Sequence, residues 1–202
     1  AQLMKRYDLL ALPVVDREDR LVGIITIDDV VDILEEEATE DIQRLAGVGG
    51  GEESSLSSPL TKLRNRLPWL LGIMALYIGA SSAIAPFQKT IAAVPVLAVI
   101  MPLFSNTGGT VGIQALTVTI RSLGVGEVTS KDTFKILCKE FLAGMGTAAA
   151  LGLTMVTLAL IWTPADVRWV ALVAGVVMAT NTLVAVTLGT LLPMGLKRLK
   201  LD

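Results

Sequence analysis

The sequence contains no histidine and a single cysteine, Cys138. One cysteine cannot form an intramolecular disulfide framework, and a zinc site of the His/Cys type has nothing to be built from. No cleavable signal peptide is legible. The chain opens without Met, on Ala1-Gln2, in what reads as the middle of a domain, so a piece of a longer protein is expected. Nucleophile–base pairs, phosphate-binding glycine loops and catalytic carboxylate dyads are missing too, so an enzyme is not expected. One further absence organises the rest. The runs Leu67–Ala85, Ile91–Ile120, Phe141–Pro164 and Trp169–Leu196 contain no Asp, Glu, Lys or Arg.

What the chain does have is apolar length. Of its 202 residues 52% are apolar, mean hydropathy is +0.65, and the apolar residues concentrate after Leu67. Each uncharged run is long enough to cross a hydrocarbon core of about 30 Å as a helix. Four membrane helices are therefore expected over about 67–85, 91–123, 141–164 and 169–196, within a transmembrane domain 67–202. Lys62, Arg64 and Arg66 precede the first run, and only Lys89 separates the first from the second. Arg121, Lys131, Lys135 and Lys139 follow the second, Asp166 and Arg168 the third, and Lys197, Arg198 and Lys200 the fourth. Positive charge on the cytoplasmic side puts both ends of the chain in the cytoplasm. Trp69, Trp162 and Trp169 stand at run ends, as interfacial anchors do. Lys131–Glu140 reads as a cytoplasmic amphipathic helix. The fold class is mostly α: a polytopic helical membrane bundle with a small α/β unit at its N-terminal end.

The second run holds the first candidate site. Unbroken, the 30 residues from Ile91 to Ile120 would form a helix about 45 Å long, longer than the bilayer core. A bend or re-entrant break is expected at Ser105–Gly109, inside MPLFSNTGGTVGIQALTVTIR. Asn106, Thr107, Thr110 and Gln114 offer neutral oxygens there, and Gly108, Gly109 and Gly112 offer close approach. Neutral oxygens suit a cation that keeps much of its hydration shell. Helix packing through Gly108-x-x-x-Gly112 is the competing reading. Gly144, Gly146, Ala148 and Gly152 read as packing, and Asn181 as an amide bonded between helices.

The second candidate is acidic. Eight of the 19 acids lie between Asp28 and Asp41, with no Lys or Arg among them. Asp28, Asp32, Glu36 and Glu40 fall on one helix face at i, i+4 spacing, and Glu37 and Asp41 on an adjacent one. Their mutual repulsion, a few tenths of a kcal/mol per pair and roughly 1–2 in all, is enough to bias a hinge. Hard divalent cations with oxygen ligands relieve it, Mg²⁺ through its own waters. A solvated acidic face is the alternative.

Residues 1–36 read as a short helix, strands at Ala11–Val15 and LVGIITI, and a helix capped by Thr26 or Asp28. So short a piece cannot hold an independent core and needs partner structure. Its order, LPVVD…RLVGIITIDDVVDIL, resembles the second half of a CBS domain, a regulatory module that works in pairs as a ligand sensor. Residues 37–66 form a connector: an acidic helix ended by Gly47 and Gly49–Gly51, a flexible GEESSLSS linker, and a short basic helix from Pro59 at headgroup level.

Taken together, LVGIITIDDVVDILEEEATEDI, RLPWLLG, the P-x5-GGxxGxQ…R-x-L pattern of Pro102–Leu123, KEFLAG and LLPMGLKRLKLD resemble the MgtE family of magnesium channels and transporters. The resemblance implies a homodimer in the cell (inner) membrane, with Mg²⁺ transported through a pore on the two-fold axis. It makes the second membrane helix a pore wall, with Asn106, Gly108, Gly109, Thr110 and Gln114 along the ion path. It implies intracellular regulatory Mg²⁺ on Asp28, Asp32, Glu36, Glu37, Glu40 and Asp41, closing the pore when Mg²⁺ is plentiful. A nucleotide at the CBS pair is a further ligand class, and no nucleic acid is expected. Thr110 stands where the family has Asn after Gly-Gly. The family's acidic fifth membrane helix has no counterpart among these residues. The alternative reading is a non-conducting membrane sensor whose CBS module binds nucleotide and signals to a partner.

Overall fold

The computed structural model describes residues 2–49 and 53–199. Gly50, Gly51 and Glu52 of the linker and Lys200 of the last basic cluster lie outside the described residues. The chain forms two compact units, 1–84 and 85–202.

In the first unit, helix α1 (Gln2–Tyr7) leads into strand β1 (Ala11–Val15), which pairs antiparallel with β2 (Leu21–Thr26). The hairpin turn is held by Asp16, whose Oδ1 accepts the Glu18 and Arg20 backbone N–H groups at 2.9 Å each. Helix α2 (Ile27–Leu45) follows directly. Of the two caps expected, Thr26 is the one used. The Asp29 carboxylate accepts the Thr26 backbone N–H at 2.8 Å and its hydroxyl at 2.6 Å, the reciprocal half of a capping box. Those bonds, the hydroxyl's first, hold the Asp29 carboxyl below its ordinary range. Met4 and Val30 are buried, but Leu21, Val22, Ile24, Val31 and Ile33 are exposed. An α/β unit with so much apolar surface uncovered has less than a full core, as its length implies. Helix α3 (Pro59–Ile84) takes the basic stretch and the first apolar run as one helix, with Pro68 inside it.

In the second unit, helix α4 (Gln88–Ala93) is followed by α5 (Val96–Gly124), α6 (Thr133–Trp162) and α7 (Trp169–Arg198). The amphipathic stretch expected as a separate helix at Lys131–Glu140 is mostly the start of α6. Helix α7 lies between α5 and α6 and packs on both, while those two scarcely meet. Met155 and Ala159 of α6 and Val96 and Ile100 of α5 close on Val170, Ala171, Ala174 and Met178 of α7. The packing role of glycine in α6 holds for Gly144, which faces Val186, and for Gly152. A Cβ at Gly152 would stand 3.0 Å from the Gly175 carbonyl oxygen. Gly146 faces open space. Three buried hydroxyls are satisfied inside their own helices: Thr119, Thr182 and Thr190 donate to carbonyls four residues back at 2.8–2.9 Å.

The break expected at Ser105–Gly109 is not there; α5 is helical straight through it. The interruption falls at Val94–Pro95, between α4 and α5. Val94 precedes a proline, which disfavours the helical region, and its φ of −130° and ψ of 79° lie outside that region, whereas α5 runs on through Pro102. A Gly-Gly pair only permits a break. In hydrocarbon, each backbone group freed by unwinding costs several kcal/mol, so helix persists unless something forces it out. The length argument survives in altered form. From Val96 to Ile120 the helix is roughly 37 Å long, which a modest tilt accommodates.

Candidate functional site

Burial divides α5 into two faces. Val111, Ala115 and Thr119 are buried toward α7, with Gly112 set against the Ala185 carbonyl. Ser105, Asn106, Gly109, Thr110, Gln114 and Thr117 are exposed on the other side. Asn106, Thr110 and Gln114 follow one another at i, i+4, i+8, a polar line about 12 Å long. The Thr110 hydroxyl donates to the Asn106 carbonyl at 2.9 Å. Its proton is thereby used inside the helix, and the oxygen lone pairs face outward as acceptors. A Cβ at Gly109 would meet nothing within 4 Å.

Of the five residues read as an ion path, Asn106, Gly109, Thr110 and Gln114 share this uncovered face. Gly108 does not. It lies under the Asn181 side chain of α7, and a Cβ there would come within 2.5 Å of Asn181 Nδ2. Asn181 in turn donates to the Phe104 carbonyl at 2.8 Å, the interhelical bond expected of it. A second tie was not legible. Lys197 of α7 donates to the Leu123 carbonyl at 2.9 Å, placing a cation on the negative end of α5.

The acids of α2 are spread along the helix. Asp32, Glu35 and Glu36 line a cleft of about 500 Å³ with Thr39, Gln43, Glu53 and Ser54. Asp28 lies one turn earlier, exposed. Glu37 and Asp41 are exposed and line none of it. Glu40 is ion-paired with Arg44 on its own helix. Among the described residues no three acids converge closely enough to hold a bare ion. The carboxylates and hydroxyls among its lining suit a hydrated one, held through its waters.

Glu53, which sequence reading passed over, ties this region together. Its backbone N–H donates to the Gln43 side-chain oxygen at 2.8 Å, and its carbonyl accepts from the Gln43 amide at 2.9 Å. Its carboxylate is only 4% exposed and ion-paired with Arg66 of α3, whose Nε donates at 3.0 Å. The Arg66 hydrogen bond holds the Glu53 carboxyl below the ordinary glutamate range. Ser54–Ser58 is likewise pinned, with Lys62 Nζ on the Ser55 carbonyl at 2.6 Å. The described part of the linker, expected to be flexible, is therefore fastened to both helices it joins. Three polar side chains ten or more residues away, Gln43, Asn65 and Arg66, do the fastening, and local composition carries no sign of them.

The chain is similar to known proteins along its length. The CBS domain profile matches residues 1–36, and the MgtE profile, described as a divalent cation transporter, matches residues 101–202. The chain is 37% identical over 208 residues to the magnesium transporter MgtE of Thermus thermophilus. It is 34% identical over 202 residues to that of Enterococcus faecalis, and 33% over 205 to that of Bacillus subtilis. In all three, 100% of this chain aligns with 44% of the relative, so it spans less than half their length. Four helices are long and apolar enough to cross a membrane, in keeping with a multi-pass membrane protein. With half its residues under that profile and all of them aligned to proteins of that name, the chain belongs to the MgtE family of divalent cation transporters.

Proposed function

We propose that this chain supplies a pore wall and part of the gate of a magnesium transporter in the cell (inner) membrane. It acts as a homodimer, with both ends of the chain in the cytoplasm. The observation that carries this reading is the uncovered polar face of α5. A stripe of Asn106, Thr110 and Gln114 facing lipid would leave its amides unsatisfied, so the face belongs against water or protein. Two copies meeting across it enclose a polar path between apolar helices. Its oxygens are neutral, so they exchange hydrogen bonds with the waters around Mg²⁺ without stripping them, in line with that ion's reluctance to dehydrate. Gly109 keeps the path wide at its middle, and Gly108 lets α7 press close behind it.

Gating rests on the acids. Asp32, Glu35 and Glu36 in the cleft, with Asp28, Glu37, Glu40 and Asp41 along α2, repel one another at low internal Mg²⁺. Hydrated Mg²⁺ bound among them relaxes the repulsion and favours the closed arrangement. The magnesium specificity is carried over from relatives named as magnesium transporters.

The test is Mg²⁺ flux into liposomes by the full-length protein, measured against internal Mg²⁺. Flux that rises as internal Mg²⁺ falls, and that loses this dependence when Asp28, Asp32, Glu36, Glu37, Glu40 and Asp41 are changed to Asn or Gln, is expected. Flux indifferent to internal Mg²⁺ before and after the changes rejects the gate. No flux at all rejects the pore and favours a CBS-bearing sensor.

A further inference from the structure

The juxtamembrane end of α3 carries a pocket lined by none of the residues of the polar α5 face or the acidic cleft. Arg64, Asn65, Pro68 and Trp69, at i, i+1, i+4 and i+5, present one helix face to the turn that follows α2. Arg44, Gly47, Val48 and Gly49 complete a pocket of about 660 Å³. The turn is fixed in place. Gly49 donates its N–H to the Asn65 carbonyl at 3.1 Å, and Gly47, at φ +76°, lies against the Trp69 indole where a Cβ would collide with the ring.

The charges around this pocket are uneven. Arg66 is ion-paired with Glu53, and Lys62 is bonded to the Ser55 carbonyl. Among the described residues Arg64 takes part in none of the ion pairs, and the Trp69 indole N–H in none of the hydrogen bonds. Arg44 is held by Glu40 in an exposed i, i+4 pair, a kind weak enough to release its guanidinium to a better anion. Among the described residues, one cation without an ion pair, one releasable cation and one N–H donor without an acceptor therefore border the same cavity, above an aromatic and proline wall. Beyond Trp69, α3 has no charged residue as far as its end at Ile84, so the pocket stands where hydrocarbon gives way to headgroups.

We propose that this pocket binds the phosphate of an anionic membrane lipid headgroup. Arg64 and Arg44 bracket the phosphate, Trp69 donates to one of its oxygens, and the apolar wall of Pro68 and Trp69 receives the start of the acyl region. A free phosphate shares the charge chemistry but has no use for that wall, which decides for the lipid. Because the turn closes α2 and the face opens α3, a bound lipid would brace the connector against the first membrane helix.

The test is native mass spectrometry of the full-length protein with phosphatidylglycerol or phosphatidylcholine at matched concentrations. Preferential retention of phosphatidylglycerol is expected, with affinity lowered about fivefold by Arg64→Gln. That factor corresponds to the roughly 1 kcal/mol of one basic residue at an anionic surface. Arg64→Lys retains most of the binding. Thermal unfolding of the variants in detergent, unchanged from the parent, shows that the fold is intact. Equal retention of the two lipids, or phosphatidylglycerol binding untouched in the Arg44→Gln/Arg64→Gln double variant, overturns the proposal. Displacement of the lipid by millimolar inorganic phosphate also overturns it, since the site would then read free phosphate.

Discussion

The Asn181 side chain of α7 reaches 2.8 Å to the Phe104 carbonyl of α5, passing over Gly108. The bond turns a costly membrane amide into interhelical glue, and only a residue without a side chain lets the amide through. Gly108 therefore serves the back of the proposed pore wall, while Gly109, one residue on, faces its front. Adjacent glycines on a helix point about 100° apart, so a Gly-Gly pair meets two requirements at once.

Gly108→Ala is expected to displace the Asn181 amide and lower stability by about 0.6–1.7 kcal/mol, from the average to the largest value measured for interhelical hydrogen bonds in a membrane protein. Asn181→Ala is expected to cost a similar amount. The double variant should cost clearly less than the sum, because the second change removes the group that the first one strikes. Thermal unfolding of the full-length protein in detergent reads all three.

Gly109→Ala separates packing from passage. Nothing lies within 4 Å of the added methyl, so unfolding should be unchanged. Mg²⁺ flux in liposomes should fall, since the methyl narrows the path at its middle in both copies. Unaltered flux would count against α5 as the pore wall.

The α6–α7 seam makes a graded prediction. A Cβ at Gly175 would run into the Val156 side chain and stand 2.9 Å from the Gly152 carbonyl, whereas one at Gly146 meets nothing. Gly175→Ala should destabilise by about 1–3 kcal/mol as an overpacked core site. Gly146→Ala should stay within about 0.5 kcal/mol. Chemical denaturation of both variants provides the comparison.

Acid should loosen the connector. Arg66 depresses the folded-state pKa of Glu53. Its carboxylate therefore stabilises fully above the ordinary glutamate value of about 4.3, and that contribution is lost as pH falls from there through the depressed folded value. Amide hydrogen exchange, corrected for its intrinsic pH dependence, should show the Glu53 N–H losing protection in that acidic window. Glu53→Gln should be less protected at neutral pH and lack the acidic step.

Much of this protein follows from sequence because the membrane reads sequence directly. Runs without charge in Leu67–Ala85, Phe141–Pro164 and Trp169–Leu196 had to become helices, since hydrocarbon offers backbone groups no other partner. The strands at Ala11–Val15 and Leu21–Thr26 and the Thr26 cap were legible because local chemistry sets them. The polar residues Asn106, Thr110 and Gln114 announced themselves by being costly where they stand. Three things belonged to the tertiary structure alone. It put the interruption of the second run at Val94–Pro95 rather than Ser105–Gly109 while leaving Pro102 inside α5, a choice between two prolines that the local sequence does not make. It sorted Gly108 to the α7 side and Gly109 to the open side, a distinction set by which helix packs behind α5. It also fastened the linker through Gln43, Glu53 and Arg66, whose bonds depend on two helices meeting in space, a relation that no local pattern encodes.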